Sequence, residues 1–253
     1  MALREEFERE GEWLFRWRSY IPLFLTVVLL AAMPHFTYPR GSHVLDQFWD
    51  FTCLAVSFFG LGIRVYTVGH VPDRTSGRNT RGQVASVLNT TGLYSILRHP
   101  LYFGNFWIWI GIGLFPRIWW CTLLIGLGLL LFYERVMFAE ERFLREKFGE
   151  EFIRWASRTP AFWPRFRNWR PSTLPFSWHM ALRREYSGLF AIIASLTFLE
   201  VVGTIVVEHR FYVEPFWASL FAIGLVSYVI LRTLKKRHYL NPPEARCGGR
   251  AET

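Results

Sequence analysis

Apolar residues gather along this chain into six blocks, roughly 20–38, 48–69, 100–116, 118–134, 187–207 and 214–232, with polar and basic segments between them. A helix needs about 20 apolar residues to cross the hydrocarbon of a bilayer, and most of the blocks approach that length. The third is short and carries Gly104, Gly111 and Gly113. Only Phe115-Pro116-Arg117 separates it from the fourth, so the two form a tight helical hairpin. The pattern predicts an all-α integral membrane protein with about six transmembrane helices, folded as a single membrane domain over 1–253.

The segments between the blocks have their own periodicities. Residues 1–19 form an amphipathic N-terminus, with a surface helix over 3–18 and Trp13, Phe15 and Trp17 as interfacial aromatics. Between Ala139 and Ser157, the residues Phe143, Phe148, Phe152 and Trp155 recur at helical spacing among charges, which predicts a cytoplasmic amphipathic helix after the fourth span. Pro160, Pro164, Pro171 and Pro175 then break regular helix among tryptophans suited to the headgroup layer. Residues 70–99 read as loop, 187–232 as two additional transmembrane helices, and 239–253 as a flexible tail.

Charge orients the chain. Of the 29 Lys and Arg residues, 25 fall in the N-terminus, the 70–99 loop, the 135–186 segment and the tail. Arg40, Arg117 and Arg210 fall on the other side, and Arg64 lies within a span. The positive-inside rule then places both termini in the cytoplasm. The net charge of +9 suits anionic lipid headgroups. No recognition module accompanies it, so no nucleic-acid partner is expected. Cys53, Cys121 and Cys247 have neither metal-ligand nor redox spacing, and no metal site is expected. Gly60-Leu-Gly62, Gly111-Ile-Gly113 and Gly126-Leu-Gly128 read as close helix packing rather than a phosphate cradle.

The chemistry concentrates at the mouth of the third span, in Gly92-Leu-Tyr94 and Arg98-His99-Pro100-Leu101-Tyr102-Phe103-Gly104. Glu140-Glu141 follows the fourth span. The tight hairpin brings the two mouths together, so Arg98, His99, Tyr102, Glu140 and Glu141 share one small volume. Ionisable groups at that depth face a partner or a cavity, and this set suits a zwitterionic ligand. Simpler readings stand beside this one. Arg98 and His99 also suit interfacial anchors, the glutamate pair a solvated helical turn, and Tyr94 and Tyr102 belt residues.

Together with Leu144, Phe148-Gly149, Pro160 and Pro164, these residues resemble the isoprenylcysteine carboxyl methyltransferase family and its phospholipid methyltransferase relatives, over about 89–164. The resemblance implies methyl transfer from S-adenosylmethionine. It implies cofactor contacts at Tyr94, His99, Tyr102, Glu140 and Glu141, and catalytic roles for Arg98, Glu140 and Glu141, with Arg98 pairing with the cofactor carboxylate or orienting Glu140. The loop holding Arg74, Arg78 and Arg81 suits an oxyanionic headgroup, and equally a generic positive-inside loop. It looks like bacterial members of the family, some of which methylate a phosphate of lipid A. A lipid phosphate is therefore the leading acceptor. Prenylated cysteine and phosphatidylethanolamine stand as alternatives.

Two other classes compete. Sterol-type reductases share the C-terminal pattern and use NADPH, and Arg165, Arg167 and Arg170 would suit its 2′-phosphate. A transporter or scaffold would place charges deep in several spans, where the sequence offers only Arg64 and Glu200. The last two spans shape a lipid entrance or form an oligomer contact.

Overall fold

The computed structural model describes residues 3–17, 20–37, 43–72 and 86–241. Among them are α1 (Leu3–Trp17), α2 (Ile21–Ala32), α3 (His43–Gly69), α4 (Pro100–Leu114), α5 (Trp119–Phe148), α6 (Glu150–Ala156), α7 (Trp178–Glu208) and α8 (Pro215–Lys236). The described residues form no β-strand; one isolated antiparallel bridge joins Gly92 to Arg170.

Local sequence sets the helix ends. Proline stands in the first turn of α2, α4 and α8, where its missing N–H costs nothing and its fixed φ suits a helix. At α7 the Ser177 side chain accepts from the Met180 amide at 3.4 Å, satisfying one of the unpaired first-turn donors.

All six apolar blocks are helical, but among the described residues four helices, within Leu45–Gly69, Trp119–Phe148, Trp178–Glu208 and Pro215–Lys236, are long and apolar enough to cross a membrane. The first block yields α2 and a 3₁₀ turn, Met33–His35. The third yields α4, whose 15 residues reach about 22 Å at 1.5 Å per residue, short of the roughly 30 Å hydrocarbon core. The six expected helical blocks are thus four long helices and two shorter apolar ones.

Two further expectations change. The amphipathic helix after the fourth block is not a separate element at its start: α5 runs unbroken from the apolar block through Glu140-Glu141 to Phe148, because nothing in that stretch breaks a helix. Gly149, at φ 52°, supplies the left-handed residue that ends it before α6. The helix of the fifth block begins at Trp178, nine residues before the expected boundary at 187. Its first turns therefore continue the helix of the fifth block rather than forming a loop. The expected flexible tail from residue 242 onward lies outside the described residues.

Packing follows the small residues. A Cβ on Gly60 would stand 2.4 Å from the Gly104 carbonyl oxygen, and one on Gly111 2.2 Å from the Ser57 hydroxyl. The backbones of α3 and α4 can thus approach only with glycine there. Gly62 and Gly128 face open space and take no part. Helix α1 docks on α5, where the Arg135 guanidinium stacks 3.4 Å over Phe7 and reaches Glu10 at 3.4 Å. Its exposed Trp13 and Trp17 continue into Tyr20 as an aromatic row, whereas Phe15, expected with them at the interface, is buried in the protein. Leu123, Leu127 and Leu131 on α5, and Ile223, Val226 and Ile230 on α8, are exposed. Apolar faces of that extent belong in lipid.

Candidate active site

The turn between α4 and α5 is as short as the sequence requires, so the start of α4 lies beside the far part of α5. His99, the residue capping α4, is 5 % exposed and sits between the two glutamates. Its Nε2 lies 3.0 Å from Glu141 Oε1, and its Nδ1 lies 3.6 Å from Glu140 Oε2. Arg98 Nε also approaches Glu141 Oε1, at 2.9 Å, while its terminal nitrogen donates to the Ala156 carbonyl. Arg98 therefore stands against Glu141, not Glu140. Adjacent residues on a helix diverge by about 100°, so the two carboxylates take opposite sides of the imidazole.

This environment sets the charge of the imidazole. Burial pulls the His99 pKa down, but hydrogen bonds and charge from Glu140 and Glu141 outweigh it, and the net direction is upward. Tyr94 is pushed up too, by burial and then by the charge of Glu140, so it stays a neutral hydroxyl.

An aromatic row continues inward. The His99 ring stacks on Tyr102 at 5.7 Å between centroids, and Tyr102 stacks on Tyr133 at 5.1 Å. Tyr133, which the sequence reading missed, lies seven residues before Glu140 on α5. Two helical turns put it on the same face, and that spacing was its available signal. Below it lies a second polar group also missed. Arg64 of α3 donates to both oxygens of Glu185 on α7, at 2.8 and 2.7 Å, and to Asn105 Oδ1 on α4 at 2.8 Å. Nothing local in sequence joins Arg64 to a residue 121 positions away.

A proline-rich strap closes the site from above. The amides of Arg98 and His99 donate to the carbonyls of Pro160 and Ala161, and the Arg165 amide donates to the Ile96 carbonyl. Trp155 Nε1 reaches the Tyr94 carbonyl at 3.2 Å. Phe162, on the strap, packs edge-on against Phe103 and Phe106. The sequence-predicted residues Tyr94, Arg98, His99, Tyr102, Glu140 and Glu141 are thus together. Arg74, Arg78 and Arg81 lie outside the described residues.

The donor set fits a molecule bearing both charges. Two carboxylates and a row of aromatic faces suit an ammonium and a sulfonium. Arg98, whose Nε lies against Glu141 Oε1 at 2.9 Å, is the guanidinium beside them, a group that suits a ligand carboxylate. On the lipid side, an apolar groove of about 790 Å³ runs between α3, α4 and α5. Phe106 and Leu130 line one end, a helical turn from Tyr102 and Tyr133, and Trp49 and Leu114 line the other.

Over 163 residues the chain is 29% identical to the cobalt-zinc-cadmium resistance protein CzcN of Cupriavidus metallidurans, covering 62% of this chain and 75% of that protein. Over 122 residues it is 33% identical to the nickel-cobalt-cadmium resistance protein NccN of Alcaligenes xylosoxydans xylosoxydans, covering 48% of this chain and 57% of that protein. No solved structure matches. A family match covers residues 52–151, from α3 into α6, and so includes Tyr94, Arg98, His99, Tyr102, Glu140 and Glu141. Residues 52–151 match the phospholipid methyltransferase family, which lies within the isoprenylcysteine carboxyl methyltransferase family of membrane methyltransferases.

Proposed function

We propose that this protein transfers a methyl group from S-adenosylmethionine to an oxyanion on a membrane lipid headgroup, at the cytoplasmic side of a bacterial inner membrane. The observation that carries the proposal is the His99 imidazole clamped between Glu140 and Glu141 at the base of the Tyr102–Tyr133 aromatic row. Members of the family use S-adenosylmethionine. Bound here, it supplies a methyl group already attached to a sulfonium leaving group.

The residues divide the work by charge and exposure. Glu140, the more exposed carboxylate at 34 % against 20 % for Glu141, takes the ligand ammonium. Arg98 takes the ligand carboxylate, and Glu141 holds Arg98 and His99 in place. Tyr102, Tyr133 and Tyr94 offer aromatic faces and a neutral hydroxyl. The strap carrying Phe162 keeps water out, and alignment of donor and acceptor in a dry site is the main requirement for this transfer.

The acceptor follows from what the site lacks. An amine must lose a proton before it attacks, whereas Glu140 and Glu141 raise the pKa of His99 against its burial and so favour its charged form over the free base. An ionised phosphate oxygen needs no base. Arg74, Arg78 and Arg81 precede the site in sequence and suit such a headgroup, and lipid A phosphate is the leading case. The groove beside Phe106 and Leu130 suits an acyl chain entering sideways. Both relatives carry resistance to divalent metals in their names. Methylating a headgroup oxyanion removes a charge that draws divalent cations to the membrane surface, so the chemistry suits that setting.

The test is incubation of purified protein with methyl-labelled S-adenosylmethionine and total bacterial lipid, followed by mass spectrometry. Label on a lipid phosphate is expected. Label on an amine or a prenylcysteine carboxyl would redirect the acceptor. Absence of both label and cofactor binding would return the NADPH reductase and non-enzymatic readings.

A further inference from the structure

At the other end of α3, about 27 Å from Arg64 along the helix axis at 1.5 Å per residue, lies a polar cluster with no part in the proposed methyl transfer. Asp46 and Asp50, one turn apart on α3, meet Glu200 from the middle of α7; the three are 2 %, 4 % and 2 % exposed. One carboxylate oxygen from each lies within 4.8 Å of the others. Helix α3 begins at His43, so both aspartates are helical and face inward, beyond the two intramembrane charges that the sequence suggested.

We propose that Asp46, Asp50 and Glu200 form a binding site for a hard divalent cation. Charge is the first ground. Arg117, in the α4–α5 turn, donates to Asp46 and lies 3.4 Å from Asp50. Among the described residues, the other charges acting on Asp50 and Glu200 are negative, from Glu214 and Glu208. One guanidinium thus faces three buried carboxylates, and leaving net negative charge inside a membrane protein is costly.

The second ground is independent of the count. Glu200 Oε2 is buried with no hydrogen-bond partner, which a buried carboxylate does not tolerate without a ligand. The surroundings are rigid enough to hold a fixed geometry. Arg117 is braced by the Thr37 carbonyl and stacks 4.7 Å over Phe36. Phe36 packs on Phe115, and Phe115 on Trp217. All the donors are oxygen, which selects Mg²⁺, Mn²⁺ or Ca²⁺ over softer metals. A bound ion would tie α3 to α7 opposite the methyl-transfer site.

The test titrates chelator-stripped protein in detergent, near neutral pH, with Mn²⁺. Free Mn²⁺ is read by electron paramagnetic resonance and melting temperature in parallel. Wild type should bind a single ion saturably and melt higher when loaded. Glu200→Gln and Asp50→Asn, each nearly isosteric, should weaken binding by roughly tenfold or more. His99→Asn, at the other end of the molecule, should bind as wild type does. Absence of saturable binding to wild type overturns the proposal. Binding that Glu200→Gln and Asp50→Asn both leave unchanged overturns it equally, and the cluster is then held by Arg117 and shared protons.

Discussion

His99 carries more of the account than any other side chain, because its charge is set by neighbours on both sides. Its pKa is raised in the fold from an ordinary value of 6.5. The stabilisation it provides is therefore complete below about pH 6.5 and is lost as pH rises through the raised folded value. Melting temperature in detergent, followed from mildly acid to alkaline pH, should fall across that window for wild type. In His99→Asn the same window should be flatter; equal slopes would contradict the clamped imidazolium. The cluster around His99 was legible in the sequence because a three-residue hairpin leaves the two span mouths no other place to go. Which glutamate faces Arg98 was not legible. That depends on helical phase, and α5 runs through the expected boundary without a break to reset it.

Between elements, the main polar tie to α7 is the Arg64–Glu185 pair with Asn105. Both charged side chains are largely buried, at 13% and 4% exposure. Removing one partner of such a pair strands the other charge and costs about 3 to 5 kcal/mol, whereas an apolar replacement of both is often neutral. Glu185→Ala should therefore melt well below wild type, and Arg64→Met combined with Glu185→Leu should recover most of the loss. If the double variant is as unstable as the single one, the pair has a role beyond charge balance. Sequence gave Arg64 as an intramembrane charge but not its partner, since Glu185 sits in a stretch whose prolines and arginines read as loop. The helix there starts at the Ser177 cap, a local signal that the surrounding prolines masked, and Glu185 is buried through its pairing with Arg64 of α3, a tertiary fact. The short α4 was better signalled, by the length of its block and by its glycines.

Taken whole, the protein is an all-α integral membrane protein whose 52–151 region matches the phospholipid methyltransferase family. Its polar site and its lipid-facing groove share the α4–α5 hairpin, which suggests that headgroup and acyl chain are recognised by adjoining surfaces. Leu127, exposed on the groove wall, offers a way to separate the two. Leu127→Trp should raise KM for the lipid several-fold through steric filling and leave S-adenosylmethionine affinity unchanged; loss of cofactor affinity instead would mean that groove and site are one pocket. The central claim is that the His99–Glu140–Glu141 cluster holds S-adenosylmethionine. Calorimetric titration of purified wild type and Glu140→Gln with that cofactor tests it most directly. Loss of one charge-assisted hydrogen bond, worth about 1.5 to 3 kcal/mol, predicts affinity about ten- to a hundredfold weaker in the variant, with its melting temperature kept. Equal affinity in the two proteins would place the cofactor elsewhere and contradict the account.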